Sequence, residues 1–555
     1  MCRRAIGVCM IIAFLLCDKA TAQQYAYRVD FTDKNNTPYH LSNPLMFLSP
    51  RAIARRTTQG IVIDSADIPV NHNYLDSVIN LTGGIIHESS RWLNLCVVLL
   101  SDSTLIHALD GKPFIKSSKL VGYYSSFLHH KPVRGTTSPK SASKTTTSDD
   151  FYFGYAWGQT QIVNGFFLHD KGYDGSGKLI AVLDAGFTGT DTLPGFDSLW
   201  AAGRVLDTHN FKYNTSYVFA YDDHGTKALS TMAAYTPNLY VGSAPLASYV
   251  LYVTEDDNSE QPIELINMLC GTERADSVGA DIVSSSLGYD TFDNPADNFT
   301  FISDFDGIST VAAQAANMAT RKGMLFVTSA GNEGGGPWNR ILTPGDADSA
   351  LTIGSVEGLT GAVWPSSGVG PNAAGQIKPD VCGQGHVAAV YSPAGYTSED
   401  GTSFSTPQIA GWAACLWQAN PMATPYQLRQ AIIRCASSYS TPGPQIGYGI
   451  PNFHCAEQVL GIKTTPPPFT ASNWIIASPN PFNGEITLSV YPDSDNNISF
   501  KLIDMTGKTF ASNTAYFYKG YNSSVTLSVP GLPSGIYILK AVSPTQQKVI
   551  KLEKP

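Results

Sequence analysis

Charged side chains are scarce in this chain: Asp, Glu, Lys and Arg make up 15% of its 555 residues, against roughly 25% in an average soluble domain. The balance that remains is acidic, with a net charge of −9. The Lys and Arg density needed to displace counterions from phosphates is therefore missing, which excludes non-specific nucleic-acid binding. Past the first residues no stretch approaches the roughly 18 uninterrupted apolar residues of a membrane-spanning helix, so no transmembrane segment is expected. Cysteines are few and scattered: Cys2, Cys9, Cys17, Cys96, Cys270, Cys382, Cys415, Cys435 and Cys455. They form no CxxC pair or other ligand spacing, so no metal site is expected. No internal repeat is present, which argues against a solenoid. Global disorder is excluded as well, because 43% hydrophobic and 11% aromatic residues suffice for large cores.

What is there divides into successive parts. Arg3 and Arg4, an apolar run over 5–16 and Ala20-Thr21-Ala22 ahead of Gln23 read as a secretory signal peptide, residues 1–22. Cys2, Cys9 and Cys17 leave with it. The other six cysteines either pair in an oxidising compartment or stay as buried thiols, and both readings stand. Residues 23–128 alternate short β-type runs, 27–31 and 95–100, with polar segments of helical character, as in a small α+β unit. Residues 129–150 are Lys, Ser, Thr and Pro with almost nothing apolar, an exposed linker open to proteolysis. His129-His130 within it is read as a solvated feature of that linker. Residues 151–463 change texture: apolar runs at 179–183, 281–284 and 324–327 alternate with helical segments such as 307–321. That pattern predicts an α/β domain with a parallel sheet covered on both faces. A Pro-rich linker, 464–472, leads to residues 473–555, where short alternating runs at 486–490, 499–503, 525–527 and 536–540 predict an all-β sandwich.

Three blocks carry chemistry. Ala181-Val182-Leu183-Asp184-Ala185-Gly186 ends an apolar strand on an acid, at the edge where open parallel sheets assemble their sites. Asp222-Asp223-His224-Gly225-Thr226 puts a histidine in a polar turn that opens a helix. Gly401-Thr402-Ser403-Phe404-Ser405-Thr406-Pro407 places a serine at the head of a small-residue helix. Each alone is ordinary: a strand-end cap, a satisfied histidine, a helix start. Together Asp, His and Ser are the parts that turn a weak hydroxyl into a nucleophile. A decoy, Gly172-Tyr173-Asp174-Gly175-Ser176-Gly177-Lys178-Leu179, imitates a phosphate loop. It lacks the final Ser or Thr and precedes a strand, so it is read as a turn.

In the order Asp184, His224, Ser403 the blocks match the subtilisin arrangement, and residues 151–463 resemble a subtilisin-like serine protease. Phe326-Val327-Thr328-Ser329-Ala330-Gly331-Asn332-Glu333 is similar to the family's oxyanion segment, which implies that Asn332 and the Ser403 backbone N–H stabilise the oxyanion. Ser286-Leu287-Gly288 resembles the strand that pairs with substrate backbone, and Ile377-Lys378-Pro379-Asp380-Val381 a structural segment. The resemblance implies a secreted endopeptidase with catalytic Asp184, His224 and Ser403, acting on proteins or peptides through an acyl-enzyme. It implies no required cofactor. Structural calcium belongs to the family, but no calcium ligands are mapped in this sequence. Two departures mark a divergent member: Ala185 follows the catalytic Asp where Ser or Thr is common, and Lys227 stands where a second His is common.

By the same resemblance, residues 23–128 act as a propeptide that assists folding and inhibits the enzyme, the rival being a permanent accessory domain. The motifs Ala477-Ser478-Pro479-Asn480-Pro481-Phe482, Leu502-Ile503-Asp504-Met505-Thr506-Gly507-Lys508, Pro533-Ser534-Gly535-Ile536-Tyr537 and Lys548-Val549-Ile550-Lys551 are similar to the C-terminal sorting domain of the type IX secretion system. They imply contact with secretion machinery and a secreted or cell-surface location. A carbohydrate- or protein-binding sandwich is the alternative there. For the whole chain, the alternative function is a catalytically silent binding or adhesion protein on a protease scaffold.

Overall fold

The computed structural model describes residues 23–124, 152–461, 474–490, 492, 496–517 and 523–555. The signal peptide, His129-His130 with the linker 129–150, and the linker 464–472 lie outside the described residues.

The N-terminal unit is an antiparallel sheet of β1 (Gln24–Phe31), β2 (Ile85–Ser90), β3 (Leu95–Leu100) and β4 (Ile115–Tyr124) in the order β2-β3-β1-β4, with helices α1 (Pro50–Gln59) and α2 (His72–Thr82). The nearly unbroken apolar run of β3 has a reason in the packing. Cys96 and Val98 face the unit's own core with Val29, Val78 and Ile106. Leu95 and Val97 face the other way and share a core with Ile266, Leu269 and Ala316 of the next domain. A sheet buried on both faces has no need of polar alternation.

The α/β domain is built on a seven-stranded parallel sheet: β5 (Leu179–Asp184), β6 (Val205–Asn210), β7 (Ser248–Val253), β8 (Ile282–Ser285), β9 (Leu325–Ser329), β10 (Leu351–Glu357) and β11 (Val381–His386), ordered β11-β10-β9-β8-β5-β7-β6. Helices α3 (His224–Ala233), α4 (Ile263–Val278), α5 (Val311–Arg321), α6 (Thr402–Ala419), α7 (Pro425–Arg434) and α8 (Phe453–Gly461) cover it. The predicted helix 307–321 begins later, at Val311. Thr310 caps it by accepting from Ala313 N at 3.0 Å, and Asp306 holds the preceding residues in a turn through Ile308 N and Ser309 N. Lys378 is buried, donating to Ala350 O, Thr352 Oγ1 and Asp380 Oδ2, while Arg429 pairs with Asp380. That network joins β10 and β11 to α7. The decoy loop is a turn, with Gly172, Gly175 and Gly177 all at positive φ.

Of the six cysteines past the signal segment, Cys435 and Cys455 form a disulfide, and Cys96, Cys270, Cys382 and Cys415 are buried thiols. Both readings hold, each for part of the set. Among the described residues the C-terminal unit contains seven strands, where the pattern predicts four. A three-stranded antiparallel sheet is formed by 475–478, 485–490 and 523–528, and a four-stranded one by 496–504, 509–517, 535–542 and 547–554. Ile475, Phe482, Leu488, Phe500, Leu539 and Leu552 share its core. Among the described residues no helix is long and apolar enough to cross a membrane.

Candidate active site

Each expected site residue sits where a strand or helix ends at the carboxyl edge of the parallel sheet. Asp184 is the last residue of β5 and fully buried. His224 is the first residue of α3, and Ser403 lies in the first turn of α6. The approach of α3 to β5 depends on Gly225. A Cβ there would stand 2.4 Å from Gly186 O and 2.9 Å from Asp184 Cβ, so only glycine lets the histidine reach the acid.

His224 Nδ1 donates to Asp184 Oδ1 at 2.7 Å, and Ala185 N donates to the same oxygen at 2.8 Å. Burial works against a charged imidazole. The Asp184 carboxylate, through charge and hydrogen bond, outweighs it together with Glu255 and Asp222, and His224 is raised to about 9. Ser403 Oγ donates to Ser286 O at 3.2 Å, and Ser286 Oγ donates to Ser403 O at 2.8 Å. The Ser403 hydroxyl is thus turned toward the Ser286 carbonyl. Asn332 Oδ1 accepts from Thr402 N at 2.9 Å and from Thr402 Oγ1 at 3.0 Å. With its oxygen committed in this way, the Asn332 amide keeps its Nδ2 donors for another acceptor.

Asp184 supports this cleft from beneath. Ala185, His224, Ser286, Leu287, Gly288, Gly331, Asn332 and Ser403 line it, and its volume is about 360 Å³. All the expected catalytic, oxyanion and substrate-strand residues are therefore brought together. Sequence reasoning missed a second set on the same walls: Asp222, Glu255, Asp257, Glu333 and Leu342. A signal for Glu255 existed, since it follows the apolar run of β7 at the same sheet edge that marked Asp184. Lys227 points elsewhere, pairing with Asp223 at 3.2 Å and Glu399 at 3.0 Å.

The N-terminal unit is held against α4 and the end of α5 by ionic contacts that its sequence did not announce. Asp276 of α4 accepts from Arg55, from Arg56 Nη2 at 2.6 Å and from Arg91 Nη2 at 2.7 Å. Lys322 pairs with Asp64 at 2.9 Å and Asp67 at 3.0 Å. At the end of β4, Tyr123 N donates to Gln261 Oε1 at 2.6 Å.

Residues 175–450 match the Subtilase family, Peptidase S8. Residues 26–138 match the Peptidase S8 propeptide domain of Bacteroidota, and residues 478–553 the secretion system C-terminal sorting domain. Subtilisin Savinase of Lederbergia lenta is 28% identical over 290 residues, 52% of this chain and 93% of that protein. Subtilisin DY of Bacillus licheniformis is 29% identical over 281 residues, 50% of this chain and 89% of that protein. Among solved structures, MycP1 with the N-terminal propeptide removed aligns over 54% of this chain and 96% of that one, at 19% identity and a TM-score of 0.43.

Proposed function

This chain carries a subtilase-family serine protease domain between a Bacteroidota-type S8 propeptide and a secretion-system sorting domain, and from that premise we propose how its residues divide the work of a secreted endopeptidase. Ser403 Oγ attacks the scissile carbonyl while His224 Nε2 takes its proton. Asp184, bonded to Nδ1, fixes the imidazole tautomer and stabilises the imidazolium that forms. The oxyanion of the tetrahedral intermediate takes hydrogen bonds from Asn332 Nδ2 and the Ser403 N–H, the latter at the positive end of α6. His224 then protonates the leaving amine, and water releases the acyl group by the same steps in reverse order.

The observation that carries this reading is the 2.7 Å His224–Asp184 bond at the base of a cleft that Ser403 and Asn332 also line. Ser403 and His224 are not yet bonded in this geometry. Rotation of the Ser403 side chain away from Ser286 O would form that bond as substrate binds, as commonly happens in serine hydrolases. A fluorophosphonate probe on matured protein tests it. Labelling and casein cleavage should both vanish in Ser403→Ala with the fold intact, a loss of about 10⁶-fold in turnover, as is usual for such a nucleophile. Casein cleavage by Ser403→Ala at the parental rate would overturn the assignment.

The flanking units fit a precursor. Residues 1–22 direct export, the N-terminal unit caps the enzyme as an inhibitor, and maturation cuts within 129–150. The ion pairs to Asp276 and Lys322 hold the unit on the helix layer, and the Tyr123–Gln261 bond carries the end of β4 to the start of α4, at the carboxyl edge of the sheet, which supports the inhibitory role. The C-terminal unit delivers the protein through the type IX route to the exterior or cell surface and is removed there.

A further inference from the structure

The cleft has two unlike walls. Beside Asn332 the pocket is edged by Gly288 and Gly331 and floored by Leu342, whose side-chain atoms lie 2.9 and 2.5 Å from where a Cβ on those glycines would be. Leu342 gives this side an apolar base, and Glu333 is the acid that follows Asn332 there. The opposite wall, beside His224, carries Asp222, Glu255 and Asp257. The nearby cations are engaged with other acids: Lys227 with Asp223 and Glu399, and Lys212 with Asp256. Among the described residues no Lys or Arg pairs with Asp222, Glu255 or Asp257. Glu255 Oε2 is buried without a hydrogen-bond partner. Burial, followed by the charges of Glu260 and Asp184, raises its carboxyl to about 8. Burial also raises Asp222, with Asp257 adding to it. Burial and mutual repulsion thus hold Glu255 and Asp222 toward their neutral forms, and an incoming cation would stabilise the carboxylates.

An extended peptide laid along Ser286-Leu287-Gly288 presents successive side chains to opposite walls. With its scissile carbonyl at Ser403 and Asn332, the residue just before the cut faces Leu342. The residue before that one faces His224 and the carboxylates. We propose that this wall selects substrates with Lys or Arg at the second residue upstream of the scissile bond, held by Asp222, Glu255 and Asp257. The inference rests on the triad reading above and adds to it the class of peptide taken.

The test compares kcat/KM of matured enzyme on acetyl-Ala-Ala-Lys-Ala-p-nitroanilide with the same peptide carrying norleucine or Glu in place of Lys. Norleucine keeps the aliphatic stem and removes the charge. Lys should exceed norleucine by about tenfold or more at low salt, and Glu should fall below both. The Lys preference should shrink as ionic strength rises, a measurement that needs no variant. Asp257→Asn and Glu255→Gln should each cut the Lys-to-norleucine ratio severalfold. An active enzyme whose ratio is near one, or whose Lys preference ignores salt and both substitutions, would overturn the proposal while the triad stands. Protein that neither cleaves any of these peptides nor takes the fluorophosphonate label would overturn the triad reading first, and this inference with it.

Discussion

At the scale of single residues, the site combines a histidine drawn toward its charged form with an amide, Asn332, that is proposed as a separate oxyanion donor. The base must be neutral to accept the Ser403 proton. With His224 raised to about 9, kcat/KM should climb about tenfold per pH unit and level off only near that value. Asp222→Asn removes a negative charge that favours the imidazolium, so the acid limb should move to lower pH. A limb at the ordinary histidine value of about 6.5 in the parent, unmoved by the substitution, would contradict this. Asn332→Ala should lower kcat about 10²–10³-fold with little change in KM, the loss known for a single oxyanion donor in subtilisin-type enzymes. Steady-state kinetics on one peptide check both. The residues proposed as catalytic stand out in the sequence because each ends or begins an element with a strong local signature. The acidic wall was not, since Asp222 and Asp257 sit in polar turns like any solvated acid, and only the fold turns them into the cleft.

At the scale of elements, the runs with a plain pattern were the ones read well. β5, β8 and β9 are buried along their whole length, and an unbroken apolar run is the signature that such burial leaves. The edge strand β6, Val-Leu-Asp-Thr-His-Asn, is half exposed and gives no period to follow. α4 escaped notice for the opposite reason. It lies between the parallel sheet and the N-terminal sheet, so Glu264, Asn267, Glu273 and Asp276 are buried along with its apolar residues, and no polar face remains to set a 3.6-residue period. Its acids were invisible as partners because the arginines that meet Asp276 come from about 200 residues earlier in the chain. Asp276→Asn should weaken inhibition of the matured enzyme by added N-terminal unit. Truncating one side of a buried charge pair costs about 3 kcal/mol, or roughly 10²-fold in the inhibition constant. The thermal stability of the matured domain alone should change little, as the partners of Asp276 all lie in the other unit. An unchanged inhibition constant would show that the cluster contributes nothing to holding the unit.

At the scale of the whole molecule, the order of units describes a sequence of states. Removing residues 474–555 should leave the protein in the periplasm, measured by fractionation, while the catalytic domain still labels after maturation. Normal export with weaker substrate binding would favour the binding-sandwich alternative for that unit. The clamp formed by Asp276 and Lys322 has its own consequence for timing. While the chain is intact, its N-terminal unit sits on α4 at the effective concentration of a short tether, in the millimolar range, and even a modest affinity keeps it seated. One cut in the tether turns that contact into an ordinary equilibrium between two molecules. Occupancy then depends on how far the pair has been diluted, and the confined space of the periplasm and the open medium outside differ greatly in that respect. On the proposed reading of this unit as an inhibitor, dispersal itself becomes the event that frees the enzyme.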